Sequence, residues 1–147
     1  MEKKEMRYKR YRDKISYIVD RLEHLPEEPR TRVEKSSIFY DLHTSIEAAI
    51  DILAMHIKDN GFQVEDDYAN IDKLKELGVN PEIAPCLKNC IGLRNHIVHR
   101  YNTFDEQIVL DSIPEIKECL YRWIEVVEVF INEFRPESNP GELEPTE

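Results

Sequence analysis

Apolar residues recur at intervals of three and four along most of the chain, the spacing of helices that each bury one stripe, and the alternation of strands is absent. A first stripe runs Tyr8, Tyr11, Ile15, Ile18, Leu22 and Leu25 and stops at Pro26 and Pro29, because proline lacks the donor a continuing helix needs. A second, over roughly residues 30–59, carries Phe39, Leu42, Ile46, Ala49, Leu53 and Ile57 and ends at Asn60-Gly61, a good left-handed stop. A short third helix over 66–77 closes at Gly78, and Asn80-Pro81 supplies a cap and first-turn proline for a fourth, which holds Leu87, Cys90, Ile91, Ile97 and Val98. The fifth repeats Ile113, Ile116, Leu120, Trp123, Val127, Phe130 and Phe134, with Ser112 and Glu115 placed as a capping box and Pro114 in the first turn. Short connections favour antiparallel neighbours, so the pattern predicts an all-α protein: an up-and-down four-helix bundle with one additional short helix.

Length and charge refine this picture. A chain of 147 residues is one domain's worth, and its ends differ: residues 2–14 hold seven basic and three acidic side chains, whereas 136–147 hold four Glu, three Pro and no base. The expected division is a helical domain over 1–135 and a disordered acidic tail over 136–147, which has too little apolar surface to offset its ordering entropy. The net charge of −10 argues against a general nucleic-acid coat. Four glycines cannot build a dinucleotide or P-loop phosphate cradle, and no Ser sits in G-x-S-x-G. No charge-free run exceeds the six residues from Ile52 to Ile57 and no apolar signal core opens the chain, so a cytoplasmic protein with no membrane partner is expected. Three cysteines without C-x-x-C read as free thiols in a reducing compartment.

One residue resists the plain reading. On a wheel of about 100° per residue, Arg94 falls in the middle of the fourth helix's apolar stripe, between Leu87, Ile91 and Val98 on one side and Tyr101, Cys90 and Ile97 on the other. A guanidinium buried there without partners costs several kcal/mol, so it is paired, lies in a cleft or faces a second subunit. Asn95 and His99 stand one turn apart at the stripe's edge. Either Arg94 pairs with an acid on a neighbouring helix, Glu47 or Asp51, and His99 is an ordinary helix-end residue, or the two form a cation and imidazole pair able to hold a phosphate and move a proton.

Arg94-Asn95-His96-Ile97-Val98-His99-Arg100-Tyr101 has the form R-N-x-x-x-H-x-Y, which resembles the signature of HEPN-domain proteins and specifically of the HepT-like toxins. Ile46-Glu47-Ala48-Ala49-Ile50-Asp51-Ile52 resembles the middle of that family's second helix, and the order of short helix, Gly turn, motif helix and long last helix agrees over roughly residues 8–135. The resemblance implies an HEPN-like bundle that dimerises with motif helices apposed. It also implies a metal-independent endoribonuclease acting as the toxin of a toxin-antitoxin pair. Arg94 would neutralise the scissile phosphate, His99 would transfer protons during attack by the RNA 2'-hydroxyl, and Asn95 would orient His99 or the phosphate. The implied partner is a small nucleotidyltransferase antitoxin that transfers AMP to the motif tyrosine, here Tyr101. Tyr101 has a structural alternative, a packed helix-end tyrosine with its hydroxyl bonded.

The basic N-terminal segment, with Arg10 and Lys14, together with Arg100 beside the motif, is a candidate RNA-contacting surface or a solvated helix face. His96 with His99, or His43 with Glu47, has the spacing of a metal pair, but no His is preceded by Glu three residues earlier as in di-iron bundles, and the reading names no metal and no cofactor. Two other function classes stay open: a non-catalytic helical adaptor binding nucleotide or the transferase, and a purely structural bundle.

Overall fold

Four long helices carry the chain back and forth in the computed structural model, which describes residues 2–99 and 105–135. They are α1 (Glu2–Glu23), α2 (Arg32–Asp59), α4 (Ile83–Val98) and α5 (Glu106–Ile131), and the short α3 (Asp67–Lys73) with a 3-10 turn at Leu74–Leu77 lies between α2 and α4. The expected acidic tail, Arg100 and Tyr101 lie outside the described residues.

Local chemistry sets the helix ends. Thr31 is extended and accepts the Glu34 N–H, while the Glu34 carboxylate accepts the Thr31 N–H at 3.0 Å, a reciprocal cap that starts α2. Gly61, at φ 87°, turns the chain left-handed after α2 and lets the Phe62 N–H reach the Ile57 carbonyl at 3.1 Å. Two predicted starts are displaced. Pro81 precedes α4 instead of occupying its first turn, and Asn80 accepts the Glu82 N–H to lead the chain into the helix. α5 begins at Glu106, well before the Ser112 box, because Asp105 accepts the N–H groups of both Gln107 and Ile108. Pro114 therefore sits inside α5, and Ser112 bonds back to the Ile108 carbonyl at 2.7 Å. The early cap and the burial of Val109 outweigh the one backbone bond that Pro114 removes.

Cross-helix contacts fix the directions. Arg7 and Tyr11 reach Asp59, Lys14 reaches Asp51, and Tyr17 reaches Thr44, so α1 and α2 are antiparallel. Lys35 lies near Glu106 and the Trp123 indole N–H donates to the Ala49 carbonyl, so α2 and α5 are parallel. Arg122 reaches Glu82 and Cys119 reaches Cys86, so α4 runs against α5 and hence against α2. This is the up-and-down order expected from the short connections.

The core holds the predicted stripes: Tyr11, Ile18, Leu22, Leu42, Ile46, Leu53, Leu120, Trp123 and Val127 are all fully buried or nearly so. Each such side chain is worth about 1.5–3 kcal/mol, against about 0–1 kcal/mol for an exposed ion pair, so the stripes and not the many surface charges hold the bundle. Ala49 keeps the α2 backbone open to the Trp123 indole, and His56 packs edge-on against both Trp123 and Phe130.

Cys86 on α4 and Cys119 on α5 form a disulfide, and Cys90 is a buried free thiol 3.6 Å from Cys119. This corrects the expectation of three free thiols. Spacing along one helix gives no view of the cysteine on the antiparallel neighbour that meets it. Burial pushes the Cys90 thiol up to about 12, so it is a core group and not a nucleophile. Among the described residues no helix is long and apolar enough to cross a membrane.

Candidate active site

The last turns of α4 bring Arg94 to the seam with α2 and α3. Its side chain is only 14% exposed, as its place in the apolar stripe demands, and every edge of the guanidinium is engaged. Nε donates to Asn95 Oδ1 at 2.9 Å, NH1 pairs with Glu47 Oε2 at 2.9 Å, and NH2 faces Asp67 Oδ2 at 3.5 Å. The pairing left open between Glu47 and Asp51 thus falls to Glu47, because Asp51 turns to Lys14 on α1 at 3.2 Å. Among the described residues, Leu87, Cys90, Ile91 and Ile97 of the wheel's stripe are buried, Val98 is 41% exposed, and Leu93 also lies in the core.

Glu47 is shared. The same Oε2 that meets Arg94 lies 3.3 Å from His43 Nε2, one turn earlier on α2. His43, Glu47, Arg94 and Asp67 therefore form one connected polar cluster from three helices, with two carboxylates around one guanidinium. Such a cluster tolerates a half-buried cation, and its net negative character leaves room for a further positive group or for exchange of one carboxylate.

Asn95 contacts both motif residues. Its side chain takes the Arg94 Nε–H, and its backbone carbonyl takes the His99 N–H at 2.9 Å. α4 ends there: His99 is the C-terminal capping residue, with φ −101° and ψ 47°, and it is exposed. The straight-helix wheel runs through His99, whereas the helical backbone ends at Val98. His96, one turn before, accepts the Asp105 N–H at 3.2 Å and so ties the start of α5 to the motif helix.

Of the candidate RNA-contacting residues, Arg10 is exposed on α1 and Lys14 is committed to Asp51. Arg7, Lys9 and Arg12 pair with Asp59, Asp13 and Glu128, so much of the basic segment is spent within the chain. Among the described residues no three His, Cys, Asp or Glu side chains are grouped as metal ligands, so neither His96 with His99 nor His43 with Glu47 gathers a third donor. Glu47 was one of the two partners expected for Arg94, but nothing in the sequence signals that His43 joins them through Glu47 or that Asp67, on a separate short helix, reaches the same guanidinium.

An all-α bundle of this helix order is the architecture of solved HEPN toxins. The chain matches the family model described as Ribonuclease HepT-like over residues 9–127, and it belongs to the HepT-like ribonuclease family. It is 50% identical over 132 residues to an Archaeoglobus fulgidus protein named "Putative RNase", covering 89% of this chain and all of that one. A second protein of that name and organism is 36% identical over 77% of this chain and 87% of its own length. Among solved structures, a mutant toxin-antitoxin MntA-HpeT complex superposes with a TM-score of 0.71 at 19% identity, over 82% of this chain and 98% of that one. A tri-AMPylated Shewanella oneidensis HEPN toxin in complex with MNT antitoxin superposes with a TM-score of 0.64 at 20% identity, over 84% and 94% of the two chains. At these identities the structural likeness shows the fold.

Proposed function

We propose that this chain is the toxin of a toxin-antitoxin pair and cuts RNA without a metal, through Arg94 and His99. The observation that carries this reading is the guanidinium of Arg94, held on an otherwise apolar face by Asn95, Glu47 and Asp67 one turn from an exposed His99. Arg94 binds and neutralises the scissile phosphate. His99 accepts or returns the proton as the 2'-hydroxyl attacks and the 5'-oxygen leaves. Asn95 orients the guanidinium through Nε and ties the His99 backbone to the same turn. Arg10, exposed on α1, and Arg100, next to His99 in the sequence, supply the positive charge for RNA in this reading, and Lys14 joins them only by giving up Asp51. The protein works in the cytoplasm, where its RNA and its partner are.

Two copies pair through the outer face of α4 and α5. Gly92 is exposed in mid-helix, where an added Cβ would meet nothing within 4 Å among the described residues, so no packing among them explains a residue that costs a helix about 1 kcal/mol. It lines a recess of about 360 Å³ with Asn89, Leu93, His96, Ile108 and Ser112, and Ile108 is 53% exposed. Small residues beside unpaired apolar ones suit close approach of a second helix pair.

A nucleotidyltransferase antitoxin neutralises the toxin by transferring AMP to Tyr101, which fills the phosphate site with an anionic group. The support is the AMPylated neighbour bound to its antitoxin. The test is RNA cleavage and growth arrest by the wild type and by Arg94→Ala and His99→Ala, together with intact mass after expression with the transferase. Both variants should stay folded and lose toxicity and cleavage, and the mass should rise by whole AMP units on Tyr101. Full cleavage by both variants refutes the catalytic assignment, and tight transferase binding without RNA turnover would make the chain an adaptor.

A further inference from the structure

Resting on Arg94 as the phosphate-binding group, we propose that the two carboxylates on its guanidinium do opposite work: Glu47 aims the guanidinium, and Asp67 occupies the place that an RNA phosphate takes. Glu47 is held from two sides. Its Oε2 sits 2.9 Å from Arg94 NH1 and 3.3 Å from His43 Nε2, and Glu47 and His43 both stand on the long α2, whose other face is core. Asp67 is held loosely. Its contact with NH2, at 3.5 Å, is longer than either contact of Glu47, and it stands on the seven-residue α3.

Asp67 is also free to leave without cost to its helix. The cap of α3 is Asp66, whose Oδ1 takes the Ala69 N–H at 2.9 Å, so a swing of the Asp67 side chain into water leaves the helix start intact. Charge favours that exchange. A phosphodiester arriving beside both carboxylates would put three anions around one cation, whereas replacing Asp67 keeps two and gives the phosphate the planar donor fork it fits best. Glu47 cannot be the one displaced so readily, because His43 holds it where it is. His43 is thereby a positioning residue acting through Glu47.

The test is the affinity of a fluorescent, 2'-O-methylated RNA octamer, which cannot be cut by 2'-hydroxyl attack, for the full chain and its variants by anisotropy. Asp67→Asn should tighten binding about fivefold and Glu47→Gln should weaken it by a comparable factor, although each removes one negative charge. His43→Ala should weaken binding like Glu47→Gln, and His43→Gln, whose amide still donates to Glu47, should rescue it. The same signs should appear in KM for a cleavable RNA. A shift of Asp67→Asn and Glu47→Gln in the same direction overturns the proposal, since a general field effect then suffices. Failure of Asp67→Asn to bind the octamer overturns it too, because the released guanidinium then takes no phosphate. Opposite signs with cleavage that survives His99→Ala would leave this assignment standing and refute the catalytic role of His99.

Discussion

Replacing His56 by Phe should remove an acid sensitivity that the wild-type bundle carries in its core. The imidazole is 4% exposed, packed edge-on against Trp123 and Phe130 with ring centroids 5.6 and 4.6 Å away, and its Nδ1 meets the Asn60 side chain at a long 3.5 Å. Burial pushes its pKa down to about 4, with Asp59 opposing. The unfolded chain takes up a proton near pH 6.5, the folded chain only near pH 4, so acid favours unfolding. Above pH 6.5 His56 has no effect; between 6.5 and 4 the stability falls, and below 4 it levels off. Each pH unit between those two values is worth about 1.36 kcal/mol, so the loss amounts to about 2 kcal/mol at pH 5 and about 3 kcal/mol at the plateau. Asp41 acts in the other direction, because its burial raises its carboxyl and acid relieves that cost, so the comparison must be between variants and not between pH values alone. Urea unfolding of wild type and His56→Phe at about pH 7.5 and about pH 5 provides it. The wild type should lose about 2 kcal/mol more than the variant between the two conditions. Equal losses would mean that the imidazole is protonated in the native core, and the reading of His56 as a neutral packing residue would fail.

Two further outcomes follow from the helix contacts. Reducing the Cys86–Cys119 bond, or Cys86→Ser, should cost about 3–4 kcal/mol by the loop-closure relation for a sequence separation of 33, and a melting temperature insensitive to dithiothreitol would contradict the bond. Gly92→Ala should raise helix stability by up to about 1 kcal/mol, since its Cβ meets nothing among the described residues, whereas Gly92→Trp should shift the protein to monomer in light scattering; a dimer undisturbed by tryptophan there would remove α4 from the interface.

The stripes of Tyr11, Ile18, Ile46, Leu120 and Trp123 were readable because burial of one helix face leaves a period in the chain itself, and from that period and the short connections the bundle's order follows. Helix starts were less readable where two signals competed: Ser112-Pro114-Glu115 has the pattern of a cap, yet Asp105 satisfies two N–H groups seven residues earlier and takes the helix start. The R-N-x-x-x-H spacing was local and so visible, as was the oddity of Arg94 on an apolar face. Its partner on α2 was narrowed to Glu47 or Asp51 and no further. Whether Glu47 or Asp51 meets it depends on the register of α2 against α4, and Asp67 arrives on a helix whose placement no periodicity encodes. The pairing of Cys86 with Cys119 is of the same kind. A sequence determines by itself what repeats along one helix, because burial and backbone bonding act on near neighbours; which side chains meet across helices is decided only when packing sets their relative height and rotation.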